Sequence, residues 1–218
     1  MKIGVLISGR GSNLKALINA CAEPGFRGEI ALVISNRPGA GGLAIAEAAG
    51  IPALVIDHKQ YASREAFDAE MDRALTEAGV ELVCNAGFMR ILSDEFVAKW
   101  HNRQLNIHPS LLPSFKGLHV HQRTIDAGVK ITGCTVHFVR PAMDEGPIVA
   151  QAAVPVMPGD DAETLAARVL EAEHKLYPLA LKLVVEGRAR VEGERVVLVD
   201  TDGGEVPAPL FVPRAAIT

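Results

Sequence analysis

The sequence predicts an α/β protein, a mostly parallel twisted sheet flanked by helices. Three observations carry this. Short apolar runs of strand length alternate with helical patterns, the signature of βαβ units. A glycine-rich turn joins the first run to the first helix. Ala, Val, Leu and Gly dominate and aromatic residues are only 5%, as expected where helices cover a parallel sheet.

The strand-like runs lie at 3–7, 30–35, 53–56, 81–86, 104–107, 131–139 and 148–156. Between them, 13–21 reads as a helix opening after a Gly-Ser-Asn turn, and 42–49 ends at Gly50, a normal helix stop. Residues 63–78 start at a Ser63 cap and stop at Gly79, and 120–126 also look helical. A last helix is expected over 161–185, opened by a capping box of Asp160 with Glu163. Pro178 is expected to kink or break it, because a mid-helix proline removes a hydrogen bond and clashes with the preceding turn. Beyond Arg190, a weakly alternating stretch at 191–199, a turn at Asp202-Gly203-Gly204 and prolines at 207, 209 and 213 read as a short hairpin and tail. One catalytic domain is therefore expected over 1–187, with a phosphate-binding half (1–100) and a catalytic half (101–187), followed by 188–218.

At 218 residues, 49% apolar, 22% charged and with a mean hydropathy of +0.19, the chain has the composition of a soluble globular protein. A net charge of −4 and a pI near 6.0 argue against a large nucleic-acid footprint, which needs a basic face. A local basic site for a small anion remains open. Cys21, Cys84 and Cys134 are few, odd in number and widely spaced, with no CxxC, so neither a disulfide framework nor a cysteine metal site is expected. The N-terminus lacks a signal-peptide layout, and no apolar run approaches the roughly 18 residues of a membrane span. The expectation is a cytoplasmic protein.

Asn106-Ile107-His108-Pro109-Ser110-Leu111-Leu112-Pro113 is the most informative stretch. Pro109 cannot donate to a ladder and so ends the strand. Side chains alternate, so Asn106 and His108 emerge on one face at the carboxyl end of a strand, where open α/β sheets bind ligands. An amide can donate to a developing oxyanion, and an imidazole can carry a proton near neutral pH. That pairing suits acyl transfer, although a His-Pro at a strand end also reads as a simple turn.

Ser8-Gly9-Arg10-Gly11-Ser12-Asn13 opens a helix and forms an anion site from backbone N–H groups with Ser and Asn donors. Leu14 stands where a dinucleotide fingerprint wants its third glycine, and Ser35-Asn36 replaces the acidic ribose contact. A monophosphate fits better, with Asn36-Arg37 keeping a 2′-phosphate open as a minor option. Arg64 and Arg90 lie at a helix start and past a strand, suited to carboxylates or to open solvent. Asp144 lies in a polar turn; beside His108 it would favour imidazolium, and alone it is an ordinary turn former. His119 and His121 are spaced for metal only on a strand, whereas their segment looks helical, so no metal is expected. His137 either faces the same pocket or packs.

Together these residues resemble the glycinamide ribonucleotide formyltransferase family, which catalyses a folate-dependent step of purine synthesis. The matching stretches are 5–14, 86–93, 106–113, 117–121, 135–139 and 144–147, in order across residues 1 to about 185. The resemblance implies a formyltransferase fold with a Rossmann-like N-terminal half. It implies phosphate binding by Gly11, Ser12 and Asn13, sugar contacts by Glu173, and a substrate path lined by Gly87 and Pro109. Met89, Arg90, Ile91 and Leu92 would hold the folate together with Asn106, Arg64 and Arg90 would lie near its glutamate carboxylates, and the Arg140 to Asp144 loop would cover the pterin. The Arg140-Pro141-Ala142 composition departs from some relatives, so only Asp144 carries over firmly there.

Asn106, His108 and Asp144 match the catalytic positions. The implied reaction is direct attack of the substrate amine on the formyl carbon of 10-formyltetrahydrofolate, without metal or covalent enzyme intermediate. Implied partners are small molecules only, with no nucleic acid or membrane, acting on a monomer or weak homodimer. Two relatives compete. A methionyl-tRNA formyltransferase is expected to need a further RNA-binding domain, and a formyltetrahydrofolate hydrolase a preceding regulatory one. A plain nucleotide-binding module would leave Asn106 and His108 without a use.

Overall fold

The strand-length runs form one seven-stranded sheet in this computed structural model, which describes residues 1–199 together with 210 and 212. Its strands are β1 (Lys2–Ile7), β2 (Glu29–Ser35), β3 (Ala53–Val55), β4 (Leu82–Asn85), β5 (Gln104–His108), β6 (Ile131–Phe138) and β7 (Ile148–Pro155), in the order β3-β2-β1-β4-β5-β6-β7. The first five pair in parallel, and β6 pairs antiparallel with both β5 and β7. The chain winds outward from β1 to β3, then crosses back to β4 on the other side of β1. That reversal opens a crevice beyond the carboxyl ends of β1 and β4.

Helices α1 (Ser12–Cys21), α2 (Gly41–Ala48), α3 (Arg64–Glu77), α4 (Asp94–Lys99), α5 (Val120–Asp126) and α6 (Ala162–Val185) complete the fold, with a 3-10 turn at His58–Gln60. Period-two alternation sends β1 side chains to both faces. Ile3, Val5 and Ile7 join one buried cluster with Leu14 and Leu17 of α1 and Leu165, Val169 and Leu181 of α6. Leu6 joins the other, with Phe67, Met71 and Leu75 of α3 and Phe96 of α4. A sheet buried on both faces explains why its strands read as continuous apolar runs.

Two expectations for α6 are corrected. Its N-cap is Asp161, in a reciprocal capping box with Thr164, not Asp160 with Glu163. The Asp160 carboxylate instead binds Arg168 through two bonds of 2.6 and 2.9 Å and accepts from the Met157 amide. The Arg168 guanidinium holds its pKa down at about 2. Pro178 does not break the helix, which runs through it to Val185. Burial of Leu176, Tyr177, Ala180 and Leu181 around the proline, worth roughly 1.5–3 kcal/mol for each large apolar side chain, outweighs a proline cost of about 3 kcal/mol.

The sequence pattern does not single out α4, a two-turn helix capped by Ser93. After α6, β8 (Ala189–Glu192) and β9 (Arg195–Leu198) form the expected hairpin, and Ala189, Val191 and Val196 pack on the main core. The turn expected at Asp202-Gly203-Gly204 and the prolines after it lie outside the described residues.

Candidate active site

Asn106 and His108 share a face at the end of β5, opposite His137 and Thr135 of β6. Asn106 Nδ2 lies 3.2 Å from His137 Nε2, while His137 Nδ1 lies 3.0 Å from the Phe138 carbonyl. A carbonyl only accepts, so Nδ1 carries the ring hydrogen and Nε2 accepts from Asn106. Burial pushes the His137 pKa down and favours this neutral ring. The amide of Asn106 is thereby oriented, with its second N–H left for another acceptor.

Asp144 reaches this pair through the connection that follows β6. Its Oδ2 accepts from the Gly117 amide at 2.8 Å and lies 3.4 Å from His108 Nδ1; its Oδ1 is 3.9 Å from His137 Nε2. His108 Nε2 lies 3.0 Å from the Phe115 carbonyl. Both ring nitrogens of His108 face acceptors, an arrangement that only imidazolium satisfies on both sides. His108 is 6% exposed, so the pair interacts with little screening by water.

The loop supplying Phe115 and Gly117 is tied down residue by residue. Thr135 Oγ1 donates to the Ser110 carbonyl at 2.7 Å and accepts from the Leu112 amide at 3.1 Å. Gln151 Nε2 holds the Leu112 carbonyl at 3.0 Å. Phe115, Gly117 and His119 alternate into the left-handed region at φ 54°, 78° and 54°. For Phe115 and His119 this costs about 1–3 kcal/mol each and persists only where the surroundings enforce it.

The phosphate-type turn lies across the crevice. Gly11 caps α1 at φ 79°, and a Cβ there would stand 2.4 Å from Gly42 Cα, so only glycine fits. No side chain caps this helix start and its first turn holds no acid. Asn13 Nδ2 donates to Glu173 Oε2 at 2.7 Å, and Asn13 Oδ1 is buried without a partner. Burial pushes the Glu173 carboxyl up, and the Asn13 bond only partly opposes it.

A pH-dependent stability effect follows. A raised folded-state pKa contributes stability below the ordinary glutamate pKa, and that stability is lost as pH rises through the folded value. Glu173→Gln, which keeps an acceptor for Asn13, is expected to raise Tm at pH 8, with the gain disappearing at about pH 4. Thermal melts across that range check it, and equal melting of both forms at pH 8 would refute it.

Of the serines flanking the anion turn, Ser8 is engaged elsewhere. Its hydroxyl donates to Asn36 Oδ1 at 2.6 Å and accepts from the Met89 amide at 2.8 Å, across the crevice. Asn36 is fully buried, with Nδ2 3.2 Å from His58 Nδ1, which removes it from contact with a 2′-phosphate.

The 87–92 loop is pinned at Met89 by Ser8 and, just beyond Leu92, by Asp68 Oδ2, which accepts from the Ser93 amide at 2.5 Å. Phe88 and Leu92 are buried while Arg90 is exposed, and Gly87 follows β4 at φ 74°. The most exposed large apolar side chains among the described residues are Leu118 (67%), Met89 (63%) and Ile91 (60%). Met143 is also exposed and approaches Gly117.

Arg64 is half-exposed beside Glu65 at 3.5 Å. The Arg140 side chain is held within the protein. Its guanidinium binds Glu194 of the hairpin at 2.9 Å, Asn102 at 2.8 Å and the Val139 carbonyl at 3.1 Å. His121 Nδ1 is buried without a partner, and burial, followed by the nearby His108, lowers its pKa. Among the described residues no group of three or more His, Cys, Asp or Glu is arranged to hold a metal, and no helix is long and apolar enough to cross a membrane. A cavity of about 940 Å³ between 125–130 and 155–160 lies apart from these groups; its acid, Asp160, is already paired with Arg168.

An amide, an imidazole and a carboxylate converging at a strand end, with an anion-type helix start across the crevice, define a class of group-transfer enzyme. The chain belongs to the formyl transferase family, whose model matches residues 1–181. It is 42% identical to the phosphoribosylglycinamide formyltransferase of Escherichia coli, over 95% of this chain and 96% of that protein. It is 58% identical to the chicken trifunctional purine biosynthetic protein adenosine-3 over 88% of this chain, but spans only 19% of that relative's length. The crystal structure of glycinamide ribonucleotide transformylase 1 from Symbiobacterium toebii superposes with a TM-score of 0.90 at 50% identity, covering 92% of this chain and 94% of that one.

Proposed function

We propose that this chain transfers the formyl group of 10-formyltetrahydrofolate to the amine of glycinamide ribonucleotide, giving formylglycinamide ribonucleotide and tetrahydrofolate. The observation that carries this reading is the contact of Asp144 with His108 beside the oriented amide of Asn106. The free N–H of Asn106 donates to the formyl oxygen as it gains charge, an interaction worth about 2.7–4 kcal/mol in a pre-oriented site. His108, charged against Asp144, stabilises the same oxygen by its field and assists movement of the attacking amine's proton to the leaving nitrogen through water that Asp144 orders.

The start of α1 at Gly11, Ser12 and Asn13 receives the phosphate. Glu173, held by Asn13, accepts from the sugar hydroxyls. Met89, Ile91 and Leu118 give the folate rings an apolar surface, and Arg90 and Arg64 stand exposed for its carboxylates. Gly87 and Pro109 line the approach. Residues 1–187 form the catalytic unit, and the hairpin braces it through Arg140 and Glu194. In this reading the protein is a cytoplasmic monomer or weak homodimer with small-molecule partners and no nucleic-acid or membrane partner. Its net charge of −4 supports the absence of a nucleic-acid role.

The test is tetrahydrofolate release from 10-formyltetrahydrofolate, followed spectroscopically with and without glycinamide ribonucleotide. Release that requires the amine is expected. Equal release without it would identify a hydrolase instead, and no release in either case would overturn the proposal.

A further inference from the structure

We propose that Arg123 is a positioning residue for this site: its guanidinium fixes the one peptide plane whose N–H holds Asp144 against His108. The inference rests on the formyl-transfer reading, since it concerns what keeps that pair productive. Arg123 belongs to none of the motifs that point to the reaction, and its side chain is exposed.

Its Nη1 donates to the Lys116 carbonyl at 2.6 Å and to the Leu118 carbonyl at 3.3 Å, and its guanidinium carbon lies 5.9 Å from the centre of the Phe115 ring. The Lys116 carbonyl and the Gly117 N–H are opposite edges of a single planar unit. Arg123 grips one edge while Asp144 Oδ2 accepts from the other at 2.8 Å. A cation on the carbonyl polarises that peptide and strengthens the bond its N–H makes to the carboxylate.

The same grip spans the segment where Phe115, Gly117 and His119 are left-handed, so it opposes relaxation of the loop that presents the Phe115 carbonyl to His108. Arg123 lies within α5, where its amide bonds the His119 carbonyl at 3.1 Å. A planar fork can hold two carbonyls and lie over a ring; an ammonium cannot do all three.

The experiment compares Arg123→Ala, Arg123→Lys, Asp144→Asn and the Arg123→Ala/Asp144→Asn double variant. Arg123→Ala is expected to lower kcat about tenfold, a modest share of the ~10²-fold that misplacing a reacting group can cost. The KM for glycinamide ribonucleotide is expected within about threefold of wild type, and Tm nearly unchanged, as for most exposed positions. Lysine is expected to restore only part of kcat. In the Asp144→Asn background the arginine change is expected to add little, because coupled residues are not additive.

Hydrogen exchange should quicken at the Gly117 amide in Arg123→Ala. This arm is readable even if the wild-type chain transfers no formyl group, so failure of the functional reading and failure of this one are distinguishable. Wild-type kcat in Arg123→Ala, full additivity with Asp144→Asn, or unchanged exchange at Gly117 would each overturn the proposal.

Discussion

His108→Ala lowers kcat by roughly 10²–10⁴-fold, the usual contribution of a positioned acid or base, while folate affinity changes only a few-fold. The expected split comes from geometry. His108 is buried between Asp144 and the Phe115 carbonyl, whereas the apolar surface assigned to the folate lies on Met89, Ile91 and Leu118. Removing the ring leaves that surface in place and strips the reacting centre of its positive charge. It also leaves the Asp144 carboxylate without its cation, so rate suffers more than binding. Steady-state kinetics with a parallel folate titration decide the matter, and turnover near wild type in folded mutant protein would sink the assigned role.

Asn106→Ala is expected to lower kcat by about 10²–10³-fold, comparable with loss of one oxyanion donor elsewhere. Here a stability loss accompanies the kinetic one. The Asn106 amide is the donor to His137 Nε2, and His137 is almost wholly buried. Deleting it leaves a buried ring nitrogen unpaired, at a cost of about 1–3 kcal/mol. The variant should therefore melt lower as well as work more slowly. A second substitution, His137→Phe, separates the two effects, since it removes the orphaned nitrogen without returning an oxyanion donor. Recovered Tm with kcat still depressed supports the assignment; recovered kcat contradicts it.

The strands were legible because burial on both faces of a parallel sheet leaves continuous apolar runs, and glycine stops marked the early helix ends. The start of α6 was misplaced by one residue because Asp160 and Asp161 are equal as caps on paper. The bidentate pull of Arg168 and the Met157 amide take Asp160 away. Pro178 misled because propensity ignores how much apolar side chain the surrounding helix buries.

Asn106 and His108 could be read as a pair since a strand's alternation fixes their relation locally. Asp144 could be named from its polar turn only as one of two readings, because its reach to His108 depends on the path of the connection after β6. The bond from Asn13 to Glu173 spans 160 positions. Ser8, His137 and Arg123 act through backbone groups or ring tautomers, which no residue pattern encodes. Arg140 has a partner that no residue pattern announces: its guanidinium binds Glu194 of the hairpin and Asn102.

Ser8 joins the end of β1 to the loop after β4 through a single buried hydroxyl. The two sides of the crevice therefore belong to one frame, and the gap between them is held by this hydroxyl together with the β1–β4 pairing beneath it. A ligand pair is measured against that gap as against a caliper. In the proposed reaction, the amine and the formyl carbon must meet across this fixed span. Selectivity of this kind resides in the distance between two surfaces, and neither surface needs to be unusual.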